Sequence, residues 1–479
     1  MLKYLNSKNN KTRVFINTVL VVSETILDKL LFFTINVILA RYFSKELFGE
    51  YTSALAYATF FSIFCDIGIN GTLIRCIRKD GSHVNEHITN ALLIKTILVV
   101  LSYSALCITL FFVNYNRSTI YLILILGLVR IGNEYLKVFY SIFNTFERFL
   151  ISSVSNTLFA LTFLSVTIAV VSLQGNYYHV AWSRLGSVVL FILILAFIVL
   201  KKTELKLTVE SIKIFLPQML YFGLTTVFYN ANKSINTVLI SLLSGTLFAG
   251  YFNNAFIFFT SVFFIPGNIS RVLMPHLMKE SFDENPNKFQ FTLDFYTRLY
   301  SVISFLIGLI LFLYAEDIIL LVYGEKYLPS ASVLKVLAFA IPPLFSINTL
   351  MLTFLDLQKT RSLFEGIAFF VNVITTIILV YFFKTEGAAL AVIVTYIVLN
   401  TLSGFYLAKQ KYVHFKNAYM VYVKTIVITG ITTVLYYLLL RDLIFYISLI
   451  PLIVIYGIFV ILFMANRNDI RIIKEIFKS

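Results

Sequence analysis

The chain has 479 residues, a net charge of +15, 59% apolar and only 13% charged residues, and a mean hydropathy of +0.86. A soluble fold of this composition would lack the polar surface to cover its core, so we read an all-α polytopic membrane protein. No basic soluble module is present, which argues against a nucleic-acid partner, and the three cysteines (Cys65, Cys76, Cys107) suggest no disulfide framework.

The basic segment Met1–Arg13 precedes no short apolar core with a small-residue cleavage site, so the first apolar stretch is expected to stay in the protein. That stretch, 14–40, carries Glu24, Asp28 and Lys29 near its middle, and Asn17, Glu24 and Asp28 share one helix face. Ionisable groups at bilayer depth are costly, so this face is expected to look into protein or water. Further apolar runs follow at 51–76, 88–113, 118–143, 149–173, 178–200, 217–243, 248–274, 293–314, 332–355, 363–383, 387–408, 419–440 and 442–464. Each has about the 20 residues a helix needs to cross a bilayer, giving about 14 transmembrane helices and both termini on one side.

The outer candidate loops contain six basic residues (Arg41, Lys45, Arg117, Lys326, Lys384, Arg441), against 23 in the termini and inner loops when Arg75 is included. This bias places both termini in the cytoplasm and accounts for most of the net charge through the membrane's inner face and its lipids. The stretch from Lys201 to Phe215 reads as an amphipathic helix on the inner leaflet, with Leu205, Val209, Ile212 and Phe215 to one side. It divides a six-helix lobe at 1–200 from a second at 217–412, with 201–216 as linker and 413–479 as two extra helices and a basic tail. A shift of 200 residues lays Leu47-Phe48-Gly49-Glu50-Tyr51 on Leu247-Phe248-Ala249-Gly250-Tyr251, Asn36 on Asn236, Ser44 on Ser244 and Lys79 on Lys279. Repeats separated by an even number of helices share one orientation, which implies a pseudo-twofold axis along the membrane normal.

Prolines predict two bends, at Pro266-Gly267 and at Pro342-Pro343. Asp66, ahead of Gly68 and Gly71, reads as structural. His83-Val84-Asn85-Glu86-His87 matches the H-x-x-E-H pattern of inverted zinc metallopeptidases, but it occupies a short loop with no third ligand or substrate cleft, so no metal site is assigned. No P-loop appears and no cofactor is expected.

Leu39-Ala40-Arg41-Tyr42-Phe43-Ser44-Lys45-Glu46-Leu47-Phe48-Gly49-Glu50-Tyr51, then Asp66-Ile67-Gly68-Ile69, Gly250-Tyr251-Phe252-Asn253-Asn254-Ala255 and Val322-Tyr323-Gly324-Glu325-Lys326-Tyr327 followed by Pro329, together resemble Wzx-type O-antigen and polysaccharide repeat-unit flippases of the multidrug/oligosaccharidyl-lipid/polysaccharide exporter superfamily. The resemblance runs through the twelfth apolar run. It implies translocation of an undecaprenyl-diphosphate-linked oligosaccharide across the bacterial cytoplasmic (inner) membrane for O-antigen, lipopolysaccharide or other surface glycans. It also implies a polysaccharide polymerase and a chain-length regulator as partners. One departure is Asn236, where the seventh helix of such proteins often carries an aspartate.

A diphosphate headgroup needs fixed positive charge in a wet cleft, which arginine supplies bidentately and lysine as a point charge. The candidates are Lys29, Arg130, Lys233 and, nearer the outer side, Arg184. Lys29 and Lys233 lie too far from a predicted helix end for snorkelling, whereas Lys95 and Lys137 are within reach of the inner headgroups. Arg130 and Glu134, at i,i+4, could instead form a structural ion pair. Glu24, Asp28 and Glu134 are candidate coupling residues, since carboxylates held together at depth would let protonation track conformation. Two other readings remain at this level: a small-molecule or drug cation antiporter of the same superfamily, which would lean on acidic residues, and a membrane-embedded glycosyltransferase or polysaccharide polymerase, which would need a sizeable loop for its acid/base groups.

Overall fold

A computed structural model of the chain describes residues 10–79, 83–201, 203–204, 206, 209–263, 265–269, 286–412 and 415–464. The N-terminal residues before Asn10, the loop carrying Lys279 and the basic tail from residue 465 lie outside the described residues. Every regular element among the described residues is helical, and the chain divides into two units, Met1–Gly250 and Tyr251–Ser479.

In the first unit, α1 (Asn10–Tyr42) and α2 (Lys45–Ser62) part at Phe43-Ser44, and the Ser44 hydroxyl accepts the Leu47 N–H at 3.3 Å. A single 3₁₀ turn and a break separate α2 from α3 (Ile69–Lys79). Asp66 takes the structural role expected of it, accepting from Ile69 N at 3.1 Å and Asn70 Nδ2 at 2.6 Å, so the first orphan amide of α3 is satisfied. There follow α4 (Val84–Leu110), α5 (Arg117–Thr145), α6 (Phe149–Ser172), α7 (Tyr177–Leu200) and α8 (Val209–Leu243). Helix α9 (Thr246–Ser261) begins in this unit and ends in the next.

The amphipathic helix expected over Lys201–Phe215 begins later than its pattern suggests. Residues 203–204 and 206 are not helical, the Lys206 N–H donates to Thr89 Oγ1 at 3.1 Å, and α8 starts only at Val209 and runs on through the seventh apolar run. The division between units falls at Gly250 because α8 packs closely on the α2–α3 break. A Cβ on Gly223 would lie 2.4 Å from the Ile67 backbone, and one on Gly68, itself at φ +80°, would lie 2.7 Å from the Met219 carbonyl. Only glycine allows that approach. The 200-residue repeat is visible in these elements, since the break at Phe43-Ser44 has its counterpart at Ser244-Gly245 between α8 and α9.

The second unit contains α10 (Pro286–Leu313), α11 (Ala315–Tyr323), α12 (Pro329–Ala338), α13 (Ile341–Leu344), α14 (Ile347–Phe354), α15 (Gln358–Lys409), α16 (Phe415–Leu435) and α17 (Phe445–Met464). The bend expected at Pro342-Pro343 is present, with α12 and the α13–α14 stretch inclined by 49°. At the other proline site the Pro266 carbonyl accepts the Tyr300 hydroxyl at 3.0 Å. Helix α15, 52 residues long, is two expected spans folded at Lys384, whose φ is 46°.

Among the described residues nine helices, or ten with the bent pair, are long and apolar enough to span a membrane, which makes the chain a multi-pass membrane protein. The expected fourteen is not reached by that measure. The reason is physical: α15 counts once although it holds two expected spans, and α1, α5 and α8 are long enough, at 33, 29 and 35 residues, but each carries ionisable or amide side chains in mid-helix.

Candidate functional site

Those same polar helices hold six of the seven candidate residues, and Arg184 sits on α7. On α1, one turn separates Glu24 from Asp28. The Glu24 carboxylate is held by α6, accepting from Ser153 Oγ at 2.7 Å and Asn156 Nδ2 at 2.9 Å. Asp28 Oδ1 is buried and meets no hydrogen-bond donor among the described residues. Tyr140 of α5 lies within electrostatic range of both carboxylates, and its buried hydroxyl is likewise unpartnered.

Lys29 is half-buried and lies within electrostatic range of Asp28 and of Lys233 on α8. The Lys233 ammonium sits 3.9 Å from the centre of the Tyr229 ring, one turn back on its own helix. Two cations, on α1 and α8, thus lie within electrostatic range of each other. Attraction to the ring face and to Asp28 offsets part of their repulsion.

The second cationic pair is more enclosed. Arg184 is 5% exposed; its guanidinium lies 4.7 Å from the Phe163 ring centre and 5.6 Å from that of Phe32, and Nη1 approaches the Tyr51 hydroxyl at 3.5 Å. Arg130 of α5 lies within electrostatic range of Arg184 and Tyr51. Gly132 brings their helices together, since a Cβ there would lie 2.3 Å from Val188 Cγ1. Both Nε atoms are buried without a hydrogen-bond acceptor among the described residues.

Glu134 does not form the ion pair with Arg130 that its spacing allows. Its carboxylate takes Lys95 Nζ at 3.2 Å on one oxygen and Lys137 Nζ at 2.6 Å on the other. Lys95, expected to snorkel, is instead fully buried, because Glu134 neutralises it within the bundle. Lys137 keeps 57% of its side chain exposed, in line with a reach toward the headgroups.

The structure therefore sorts the sequence candidates into three groups: Glu24, Asp28, Lys29 and Lys233; Arg130 and Arg184; and Glu134 with Lys95 and Lys137. Sequence reasoning missed Tyr51, Tyr140, Ser153 and Asn156, which carry no pattern of their own. Of the histidines, His83 Nδ1 lies 3.1 Å from Glu86 Oε1, and His179 Nδ1 accepts the Asn176 N–H at the start of α7. His276 and His414 lie outside the described residues.

Comparison with known proteins points in one direction. A family model described as "Polysaccharide biosynthesis protein" matches residues 14–279. No protein of curated function matches the sequence. Among solved structures, a lipid II flippase, MurJ, in an inward closed conformation superposes with a TM-score of 0.74 at 19% identity, covering 93% of this chain and 98% of the other. An inward-facing multidrug resistance transporter of the MATE family and MOP superfamily gives 0.64 at 14% identity over 80% of this chain and 95% of its own. A MATE transporter of Vibrio cholerae gives 0.55 at 13% identity over 81% and 94%. At these identities the likeness is one of fold.

Proposed function

Because the chain belongs to the polysaccharide biosynthesis protein family, whose members are flippases of the multidrug/oligosaccharidyl-lipid/polysaccharide superfamily and not enzymes, we propose that it moves an undecaprenyl-diphosphate-linked oligosaccharide repeat unit from the cytoplasmic to the outer leaflet of a bacterial inner membrane. The glycan serves O-antigen, lipopolysaccharide or a related surface polysaccharide. Both termini face the cytoplasm, and a polysaccharide polymerase and chain-length regulator act on the product.

The observation that carries this reading is the pairing of Lys29 with Lys233 in mid-helix. A like-charged pair held at bilayer depth costs free energy unless an anion joins it, and a diphosphate carries the charge to do so. Lysines suit a passing ligand, since ammonium groups on flexible stems follow a moving phosphate without fixing its geometry. Arg130 and Arg184, in the same unit, add positive potential. Glu24 and Asp28 are the coupling candidates: a proton taken by Asp28 would remove the charge that competes with the diphosphate for Lys29. The same two carboxylates favour a cation antiporter as the second reading.

The test is a proteoliposome assay with a fluorescent polyprenyl-diphosphate oligosaccharide, scored by outer-leaflet accessibility. Wild-type protein should translocate it, with lysine-to-glutamate variants at 29 and 233 inactive. If instead organic cations move and the lipid-linked sugar stays put, the antiporter reading replaces this one. In cells, loss of the protein should remove one surface glycan while lipid-linked repeat units accumulate inside.

A further inference from the structure

Around Arg130 and Arg184 the charge does not balance. Among the described residues of the first unit Lys95 and Arg184 are buried and Arg130 is partly buried, and Arg130's electrostatic neighbours include one carboxylate, Glu134. That carboxylate has both oxygens taken by Lys95 and Lys137. Lysines or carboxylates in such surroundings can discard their charge by gaining or losing a proton, but a guanidinium keeps its proton under any physiological condition. Two guanidiniums within electrostatic range of each other therefore remain two positive charges.

What surrounds them lowers this cost only in part. The faces of Phe163 and Phe32 lie against Arg184, and among the described residues the Tyr51 oxygen is its one hydrogen-bond acceptor, at a long 3.5 Å. Arg130 makes no hydrogen bond to any described residue, and the Nε hydrogens of both arginines are buried and unused. Buried donors left unmade are costly, and more so when charged. An acceptor carrying negative charge would meet both needs.

We propose that Arg130 and Arg184 bind a small monovalent inorganic anion, chloride in the cell, within the helix bundle of the first unit. Its size follows from the enclosure: Arg184 is 5% exposed and flanked by two aromatic rings, so its guanidinium suits a spherical ion better than a headgroup joined to a lipid and a sugar chain. Its role follows from the helices involved. Arg130 is on α5, Arg184 on α7, Tyr51 on α2, Phe163 on α6 and Phe32 on α1, so the ion ties five helices of the bundle together. Phe32 stands three residues from Lys29 on α1, which places the anion close enough to sense what occupies the lysine pair.

The test needs no transport and no knowledge of the cargo. Full-length protein in nanodiscs of neutral lipid is titrated with sodium chloride against sodium gluconate at constant ionic strength, reading radiochloride binding and the thermal midpoint. The expected result is one saturable class of chloride sites with a parallel rise in midpoint. Affinity should fall by about tenfold or more in Arg130→Gln and in Arg184→Gln, as loss of a charge-assisted donor implies, and stay within about twofold in Lys29→Gln. If a glutamine variant fails to fold, Arg184→Lys, which keeps the charge and loses the fork, should bind more weakly than wild type. Absence of saturable chloride binding overturns the proposal, as does chloride binding that survives both arginine substitutions. Inorganic pyrophosphate binding that needs Arg184, with no chloride effect, also overturns it and gives the arginines to the diphosphate site.

Discussion

The interiors of the two units are built from different materials. In the first, the charged groups Arg184, Lys95 and Glu134 are buried and Glu24 and Asp28 partly so, whereas among the described residues of the second the buried charged side chain is Glu365, 4.0 Å from Arg361. In the second, the largest fully buried side chains are tyrosines, Tyr296, Tyr300, Tyr314, Tyr323, Tyr327 and Tyr456. Three of their hydroxyls donate across the fold, Tyr300 to the Pro266 carbonyl at 3.0 Å, Tyr314 to Ser448 at 2.9 Å and Tyr456 to the Val302 carbonyl at 3.0 Å. That unit also has a half-open cavity of about 690 Å³, lined by Phe305, Phe312, Phe339 and Pro342, with Asn400 and Thr429 among the few polar contributors.

The sharpest way to break the comparison is charge reversal in the first unit. We expect Lys29→Glu and Lys233→Glu each to leave almost no glycan export at matched membrane abundance, with the alanine variants intermediate, because inversion adds repulsion to lost attraction. Reversal of the exposed pair Lys335–Glu316 in the second unit, 2.5 Å apart, should leave export near wild type. Equal loss from both experiments would erase the distinction between the units.

Next in size is the buried ion group. Glu134→Gln leaves Lys95 fully buried without its counter-charge, a defect worth about 3–5 kcal/mol. Chemical or thermal unfolding in detergent should show it, and Lys95→Met/Glu134→Met should recover most of the stability. A double variant no better than Glu134→Gln alone would mean that the carboxylate serves a task other than neutralising Lys95.

The sequence made the membrane class, the polar helices and the repeat legible, because composition and register survive without coordinates. It also named Lys29, Arg130, Arg184, Lys233, Glu24, Asp28 and Glu134, since charge inside an apolar run is conspicuous by itself. Which charge meets which was beyond it. Spacing along α5 offers Arg130 to Glu134, yet the closer partners, Lys95 from α4 and Lys137 one turn on, are set by how helices rotate against each other. The same holds for Ser153 and Asn156, ordinary residues of α6 until Glu24 is placed opposite them. The start of α8 was out of reach for a related reason: leucines and lysines over 201–215 fit a helix from Lys201, but the Lys206 N–H donates to Thr89 and the helix begins at Val209.

A smaller effect is expected where backbone meets backbone. Gly223→Ala puts a methyl 2.4 Å from the Ile67 carbonyl carbon and oxygen, which cannot swing aside as a side chain would. Helix α8 has to move from the α2–α3 break, at a cost of about 1–3 kcal/mol. Gly430→Ala, whose methyl would meet nothing within 4 Å, should instead gain a few tenths of a kcal/mol up to about 1 from helix propensity. Opposite signs in one unfolding assay would separate a packing glycine from a merely permissive one.

Gly430 also offers the mildest and most specific probe of the second unit. It lies on α16 at the wall of the 690 Å³ cavity. A bulky side chain there can enter the cavity without displacing backbone, so Gly430→Phe should fold normally. If the cavity receives part of a polyprenyl tail, the phenyl ring takes space from one or two methylenes, each worth about 0.8 kcal/mol of burial, and apparent affinity should weaken by roughly four- to fifteenfold. The loss should appear with a long-tailed diphosphate substrate and vanish with a short-chain analogue that presents the same headgroup to Lys29 and Lys233. An equal loss with both substrates would place the fault in the protein's movements and not in the tail's binding, and no loss with either would leave the cavity outside the transport path.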